Sequence, residues 1–121
     1  MATTRRYKSY IAETGVCYQY FYEQKRRVRR PGGVGAGVDF VFVVRPDQHP
    51  PFDLRIFLQA DALDAWRRRH GRELDSNEQY ALAKMRLFRA FDELEDVGRE
   101  RLRLTVNEEN LEALLTPLGV A

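Results

Sequence analysis

Cysteine is almost absent from this chain of 121 residues. The single cysteine, Cys17, excludes an intramolecular disulfide and any zinc site built from several cysteines, so we expect a cytoplasmic location. Long apolar runs are missing too. No stretch approaches the roughly 18 consecutive apolar residues that cross a bilayer, and the N-terminus lacks the apolar segment of a secretion signal. We therefore expect no membrane partner and a single domain over residues 1–121, with residues 1–5 disordered.

Catalytic side chains are scarce as well, with two histidines and two serines in the whole chain. Nucleophilic catalysis needs a serine, cysteine or threonine held by a base, and no such motif is present. Cys17 lies among aromatic residues in a predicted strand, which is typical of a buried thiol. We therefore predict no catalytic residue. A pocket that gathers Cys17, Asp47 or His49 would favour the alternative of an enzyme or small-molecule binder.

Metal and cofactor motifs are also lacking. Asp47, His49 and Asp53 surround a proline-rich loop, but their spacing matches no ligand motif, so we predict no metal site. The Gly-x-Gly pairs at 33–37 lead into a strand instead of opening a helix, and Val38 occupies the position of the third glycine of a dinucleotide fingerprint. We interpret residues 29–37 as a flexible hairpin loop and predict no cofactor.

Positive charge is concentrated at one end of the chain. Residues 1–37 contain eight lysines and arginines against two acids, a net charge of +6, whereas residues 38–121 have a net charge of −4. This asymmetry indicates an acidic partner, or the pairing of one end of the molecule with the other end of a second copy.

Alternating patterns predict five strands. Residues 7–12 and 16–27 form a hairpin around a turn at 13–15, and residues 38–44 form a β-branched and aromatic strand that we expect to be central. Residues 53–58 follow two prolines, and residues 101–106 alternate polar with apolar side chains.

Helical spacing predicts three helices. Asp61 is the expected cap of the first, which ends at Gly71. The second begins near Asp75-Ser76, where Asp75 with Glu78 and Ser76 with Gln79 each fit a capping box. Its apolar stripe comprises Tyr80, Ala83, Leu87, Phe88, Phe91 and Leu94. Asn107 is the expected cap of a short terminal helix carrying Leu111, Leu114 and Leu115. The order ββββααβα predicts an α+β fold with helices packed on one face of a largely antiparallel sheet.

One segment combines aromatic, cationic and glycine residues and is the candidate binding site. Its candidate residues are Tyr18, Tyr20, Tyr22, Lys25, Arg26, Arg27, Arg29 and Arg30. We predict that this hairpin, about residues 16–37, makes the protein a non-catalytic interaction or oligomerisation module that engages an acidic protein partner or a second copy. In the oligomer, Arg29 and Arg30 would pair with acids such as Glu93 of the neighbour.

Nucleic acid is the alternative partner of the same hairpin. Single-stranded DNA or RNA is bound by stacking bases on exposed aromatic rings while lysines and arginines contact the phosphates. This interpretation requires the face with Tyr18, Tyr20 and Tyr22 to be exposed. If that face packs on the helices instead, Tyr20 cannot also stack on a base.

Overall fold

The fold is a five-stranded sheet combined with three helices in the order ββββααβα, an α+β arrangement as predicted. The computed structural model describes residues 7–93 and 104–120. The strands are β1 (Lys8–Ile11), β2 (Cys17–Arg30), β3 (Gly35–Pro46), β4 (Phe52–Gln59) and β5 (Leu104–Val106). The helices are α1 (Ala60–His70), α2 (Ser76–Glu93) and α3 (Leu111–Leu115), and a 3-10 turn (Thr116–Leu118) follows α3.

The strands lie side by side in chain order, with β3 in the centre as expected. The first three neighbouring pairs are antiparallel and β4 pairs with β5 in parallel, so the sheet is mixed and mostly antiparallel. None of the helices in the described part of the chain combines the length and apolar composition that a membrane crossing requires.

The hairpin of β2 and β3 is longer than the sequence predicted. Residues 29–37 were expected to form a loop, but Arg30 pairs with Gly35 and only residues 31–34 form the turn. The extended conformation of Gly37 is stabilised from its other side, because Gly37 also pairs with Gln59 of β4. The ring of Phe57 lies where a side chain at position 37 would be, so a glycine is required within this strand. The predicted disorder of residues 1–5 lies outside the described residues.

One face of the sheet, here called the inner face, carries Tyr18, Tyr20, Phe42, Val44 and Leu54. It packs against α2 through aromatic rings, including stacked contacts such as Tyr18 on Phe91, whose centroids lie 4.1 Å apart. Buried side chains of α1, α2 and α3 belong to the same apolar cluster as the inner face. The opposite face, here called the outer face, carries Cys17, Gln19 and Asp39.

Local sequence signals predict some of the helix ends correctly. Asp75 and Glu78 form the predicted capping box: the Glu78 amide donates to Asp75 Oδ1 at 2.8 Å and the Asp75 amide donates to Glu78 Oε1 at 3.0 Å. Gly71 ends α1 in the left-handed conformation at φ 74°, as predicted. Asp61 is not the cap, because α1 begins one residue before it and Asp61 lies in the first turn.

The remaining expectations concern the C-terminal part of the chain. The side chain of Asn107 accepts hydrogen bonds from the amides of Glu109 and Asn110 and so stabilises the turn before α3, but the cap position of α3 is Asn110 and not Asn107 as predicted. Leu94 and residues 101–103, which were assigned to the second helix and the last strand, lie outside the described residues.

A β-bulge divides β2 into two segments. Tyr22 pairs with Phe42 and Gln24 pairs with Val41, which leaves Glu23 as the extra residue. The alternation of side chains therefore reverses beyond Glu23. Lys25, Arg27 and Arg29 fall on the inner face, and Arg26 and Arg30 on the outer face.

Candidate interaction surface

Among residues 7–93 and 104–120, the outer edge of β2 has a neighbouring strand over only its first part. β1 pairs with Cys17–Tyr20, and the edge from Tyr22 to Arg30 has no neighbouring strand in these ranges. An unpaired edge presents backbone N–H and C=O groups that can pair with another extended chain. The second half of β2 is thus a strand with one side available. We call this edge, residues 22–30, the open edge.

Four cations surround the open edge. Lys25, Arg26, Arg27 and Arg29 are exposed, and within the described ranges none of them has a carboxylate within 4 Å. Because the bulge sends Arg26 to one face and the other three cations to the opposite face, positive charge lies on both sides of the strand. The ammonium group of Lys25 lies 5.9 Å from the ring centre of Phe40, a cation–π contact that leaves its charge uncompensated.

Arg30 is paired within the same chain, so it does not add to the exposed positive charge of the open edge. Its Nη2 donates to Asp39 Oδ1 at 2.5 Å, and the exposed fractions of the two side chains are 12% and 2%. The guanidinium also stacks over the ring of Phe57 at 4.6 Å. The pairing of Arg30 with an acid of a neighbouring copy stays a prediction, and the acid that Arg30 contacts in this structure is Asp39 of the same chain.

The tyrosines of the candidate site face α2. Tyr18 and Tyr20 are 2% and 4% exposed, and Tyr22 is half-buried with its ring centre 5.1 Å from that of Tyr80. Burial raises the pKa of Tyr20 and of Tyr22. The wide apolar stripe of α2 was the sequence signal for this arrangement, because such a stripe requires an apolar sheet face to cover it.

A groove lies at the opposite end of the sheet, where β3 turns into β4. Its volume is about 370 Å³, and its lining includes Cys17, Asp47 and His49, which the sequence could not show to be close together. The amide of Asp47 donates to the carbonyl of Cys17 at 3.0 Å, which brings the turn onto β2. Gln48 in this turn has a left-handed backbone, φ 61°. In the described part of the chain, no three His, Cys, Asp or Glu side chains are arranged to hold a metal ion.

Arg45 forms the outer-face wall of this groove. Its Nε and Nη2 both donate to Oε1 of Gln19, and its guanidinium lies 4.5 Å over the ring of Tyr7. The groove thus contains a cation whose orientation is set by two neighbours.

No protein family, curated protein or solved structure matches this chain.

Proposed function

We propose that the protein is a non-catalytic interaction module whose open edge binds an acidic, extended segment of a partner protein. The partner would add a strand to β2, so that its backbone pairs with the unpaired edge and its carboxylates meet the cations. The observation that carries this proposal is that, within residues 7–93 and 104–120, a strand edge without a neighbouring strand coincides with four exposed cations at residues 25–29 that have no carboxylate within 4 Å.

Charge favours a partner over a second copy of the chain. A symmetric pairing of two open edges would place Lys25, Arg26, Arg27 and Arg29 of one copy beside the same cations of the other. Like charges directly opposite each other destabilise a strand pair, and charged edges commonly prevent such pairing. An acidic strand would instead place its carboxylates beside these four cations.

The burial of the tyrosines favours a protein segment over single-stranded nucleic acid. Base stacking contributes about 1–3 kcal/mol per base and needs exposed aromatic faces. Tyr18 and Tyr20 are buried and Tyr22 packs on Tyr80, so the stacking half of a nucleic-acid site is missing from the candidate residues. Backbone pairing and charge remain, and an acidic peptide uses both.

The test is the binding of a fluorescent peptide that alternates glutamate with valine, measured by anisotropy at two salt concentrations. We expect saturable binding that weakens as salt rises and is lost in Arg26/Arg27/Arg29→Ala. Arg67/Arg68/Arg69→Ala is the matched control, because it removes the same charge from exposed positions of α1. Equal losses in both variants would show a non-specific charge effect and reject the proposed site.

Two further arms separate backbone pairing from charge alone. The same peptide with N-methyl groups at alternate residues keeps every carboxylate but cannot form a strand ladder, so we expect it to bind at least tenfold more weakly. Single-stranded DNA of equal charge is titrated in parallel. Tighter binding of DNA than of the peptide would replace this proposal with the nucleic-acid one, and a concentration-dependent mass in light scattering would favour self-association.

A second candidate function is small-molecule binding in the groove at the β3–β4 turn. It is favoured by the arrangement of Cys17, Asp47 and His49 around one concave surface. Amide chemical shifts of Arg45 and of residues 47–49 in an NMR screen of small polar molecules test it. Shifts that vanish in His49→Ala support the groove as a site, and their absence across the screen rejects it.

A further inference from the structure

A group of lysine and tyrosine side chains lies between α2 and the inner face, separate from the cations of the open edge. The ammonium group of Lys84 lies 5.5–5.8 Å from the ring centres of Tyr20, Tyr80 and Phe88. Lys8 stands directly opposite Tyr20 across the β1–β2 pair. Tyr22 contacts Tyr80 from the other side, with ring centres 5.1 Å apart. We call these residues, Lys8, Tyr20, Tyr22, Tyr80 and Lys84, the lysine–tyrosine cluster.

The positive charges of Lys8 and Lys84 repel each other. Burial lowers the pKa of Lys84, and the positive charge of Lys8 lowers it further. Within residues 7–93 and 104–120, no carboxylate lies within 4 Å of either ammonium group. Cation–π contacts with three rings stabilise the charge of Lys84 but do not cancel the repulsion from Lys8. An anion between the two lysines would cancel it.

The three hydroxyls of the cluster have unused hydrogen-bonding capacity. In the described part of the chain, the hydroxyls of Tyr20, Tyr22 and Tyr80 form no hydrogen bond to the protein, whereas the hydroxyl of Tyr10 donates to Asp92. Tyr20 is 4% exposed as a residue, and its hydroxyl is not among the fully buried polar atoms that lack a partner, so this oxygen reaches solvent and is open to a ligand. Burial is the largest cause that raises the pKa of Tyr80, and Tyr22 raises it further, so these phenols remain protonated donors at neutral pH.

We propose that the lysine–tyrosine cluster binds a phosphoryl group, either as free phosphate or as a phosphate monoester. Two ammonium charges match a dianion, and the three terminal oxygens of a phosphoryl group can accept hydrogen bonds from all five donor groups. A carboxylate has one negative charge and two oxygens, so it would leave donors unpaired. This site does not depend on the acidic partner proposed for the open edge.

Titration of the full chain with sodium phosphate tests this proposal. Binding is measured by amide chemical shifts and by calorimetry, and sodium chloride of equal ionic strength is the reference. We expect saturable shifts near residues 20–22 and 80–84. Because a hydrogen bond to a charged group contributes about 1.5–3 kcal/mol, Tyr80→Phe and Lys84→Met should each weaken binding roughly tenfold or more. Tyr22→Phe removes only one half-buried hydroxyl and keeps the test valid if either of those variants folds poorly.

The control variant is Arg68→Met, which removes one exposed cation from α1 outside the cluster. Its phosphate affinity should equal that of the unmodified chain. Phosphate and phenyl phosphate are titrated separately, and the tighter ligand identifies free phosphate or a monoester as the source of the group. Non-saturating shifts, equal binding of acetate, or unchanged affinity in Lys84→Met and Tyr22→Phe would overturn the proposal.

Discussion

Replacement of Asp39 by alanine is expected to lower the free energy of unfolding by about 3–5 kcal/mol. The carboxylate of Asp39 is the partner of Arg30, and the two side chains are only 2% and 12% exposed. In the variant, the guanidinium of Arg30 would stay over the ring of Phe57 with its charge unpaired. The loss of stability is large because Nε of Arg30 already lacks a hydrogen-bond partner. Asp39 provides the acceptor for this buried cation, and its removal leaves the guanidinium without that bond.

The expected change in thermal stability is large enough to measure directly. For a chain of 121 residues, 1 kcal/mol corresponds to about 3–5 °C in Tm, so Asp39→Ala should lower Tm by about 10–20 °C. Urea unfolding can be followed by the fluorescence of Trp66, which is the one tryptophan of the chain and is 1% exposed.

The double variant Arg30→Met/Asp39→Leu separates the cost of an unpaired charge from the contribution of the pair. Replacing both partners with apolar residues removes the desolvation penalty, so the double variant should unfold within about 1 kcal/mol of the unmodified chain. A loss below 1 kcal/mol in Asp39→Ala would refute this reasoning, as would a double variant that is as unstable as the single one.

Three further predictions concern packing and titration. Gly37→Ala should cost about 2–3 kcal/mol in urea unfolding because its Cβ would overlap the ring of Phe57, whereas Gly32→Ala, with a left-handed backbone but open space, should cost about 1 kcal/mol; equal costs would contradict this account. The hydrogen bond from Arg72 lowers the pKa of Glu78 from 4.5 to about 2, so stability present above pH 4.5 is lost as the pH falls towards 2, and Glu78→Gln should show a shallower acid dependence in urea midpoints measured from pH 5 to 2. Burial, followed by the hydrogen bond to Asp92, raises the pKa of Tyr10 to about 12, so stability is lost as the pH rises from 10 towards 12; the absorbance titration of Tyr10→Phe should lack one transition near pH 12, and an unchanged titration would disprove the assignment.

Local signals explain which parts of the fold could be predicted. The turn at Gly15, the capping box at Asp75 and the end of α1 at Gly71 depend on residues within a few positions of each other, and all three are present. The order ββββααβα follows from the spacing of apolar side chains, which changes along the chain from the period of a strand to that of a helix. This change can be seen in the sequence alone. Strand lengths were less accurate, because the ends of β3 beyond the predicted strand, residues 35–36 and 45–46, are held by pairing with β2 across the hairpin.

The candidate site could be predicted only in part. The exposed cations at 25–29 follow from the basic run, but the role of Arg30 depends on Asp39 across the hairpin and on the parity change at Glu23. No local sequence pattern predicts a bulge of this kind. The grouping of Cys17, Asp47 and His49 in one groove likewise arises from the pairing of β2 with β3, which brings distant residues together.

The bulge at Glu23 also determines how the hairpin can change in length. Deleting Glu23 would restore strict alternation and leave every residue from Gln24 to Arg30 opposite its present partner on β3, so Arg30 would keep Asp39 and Lys25 would keep Phe40. Deleting Gln24 as well would leave no extra residue to absorb the change, so the register would slip by one residue and the side chains from Lys25 to Arg30 would exchange faces. The bulge is thus one residue of spare length in the basic segment, and hairpin variants of this protein should tolerate the loss of Glu23 far better than the loss of two residues.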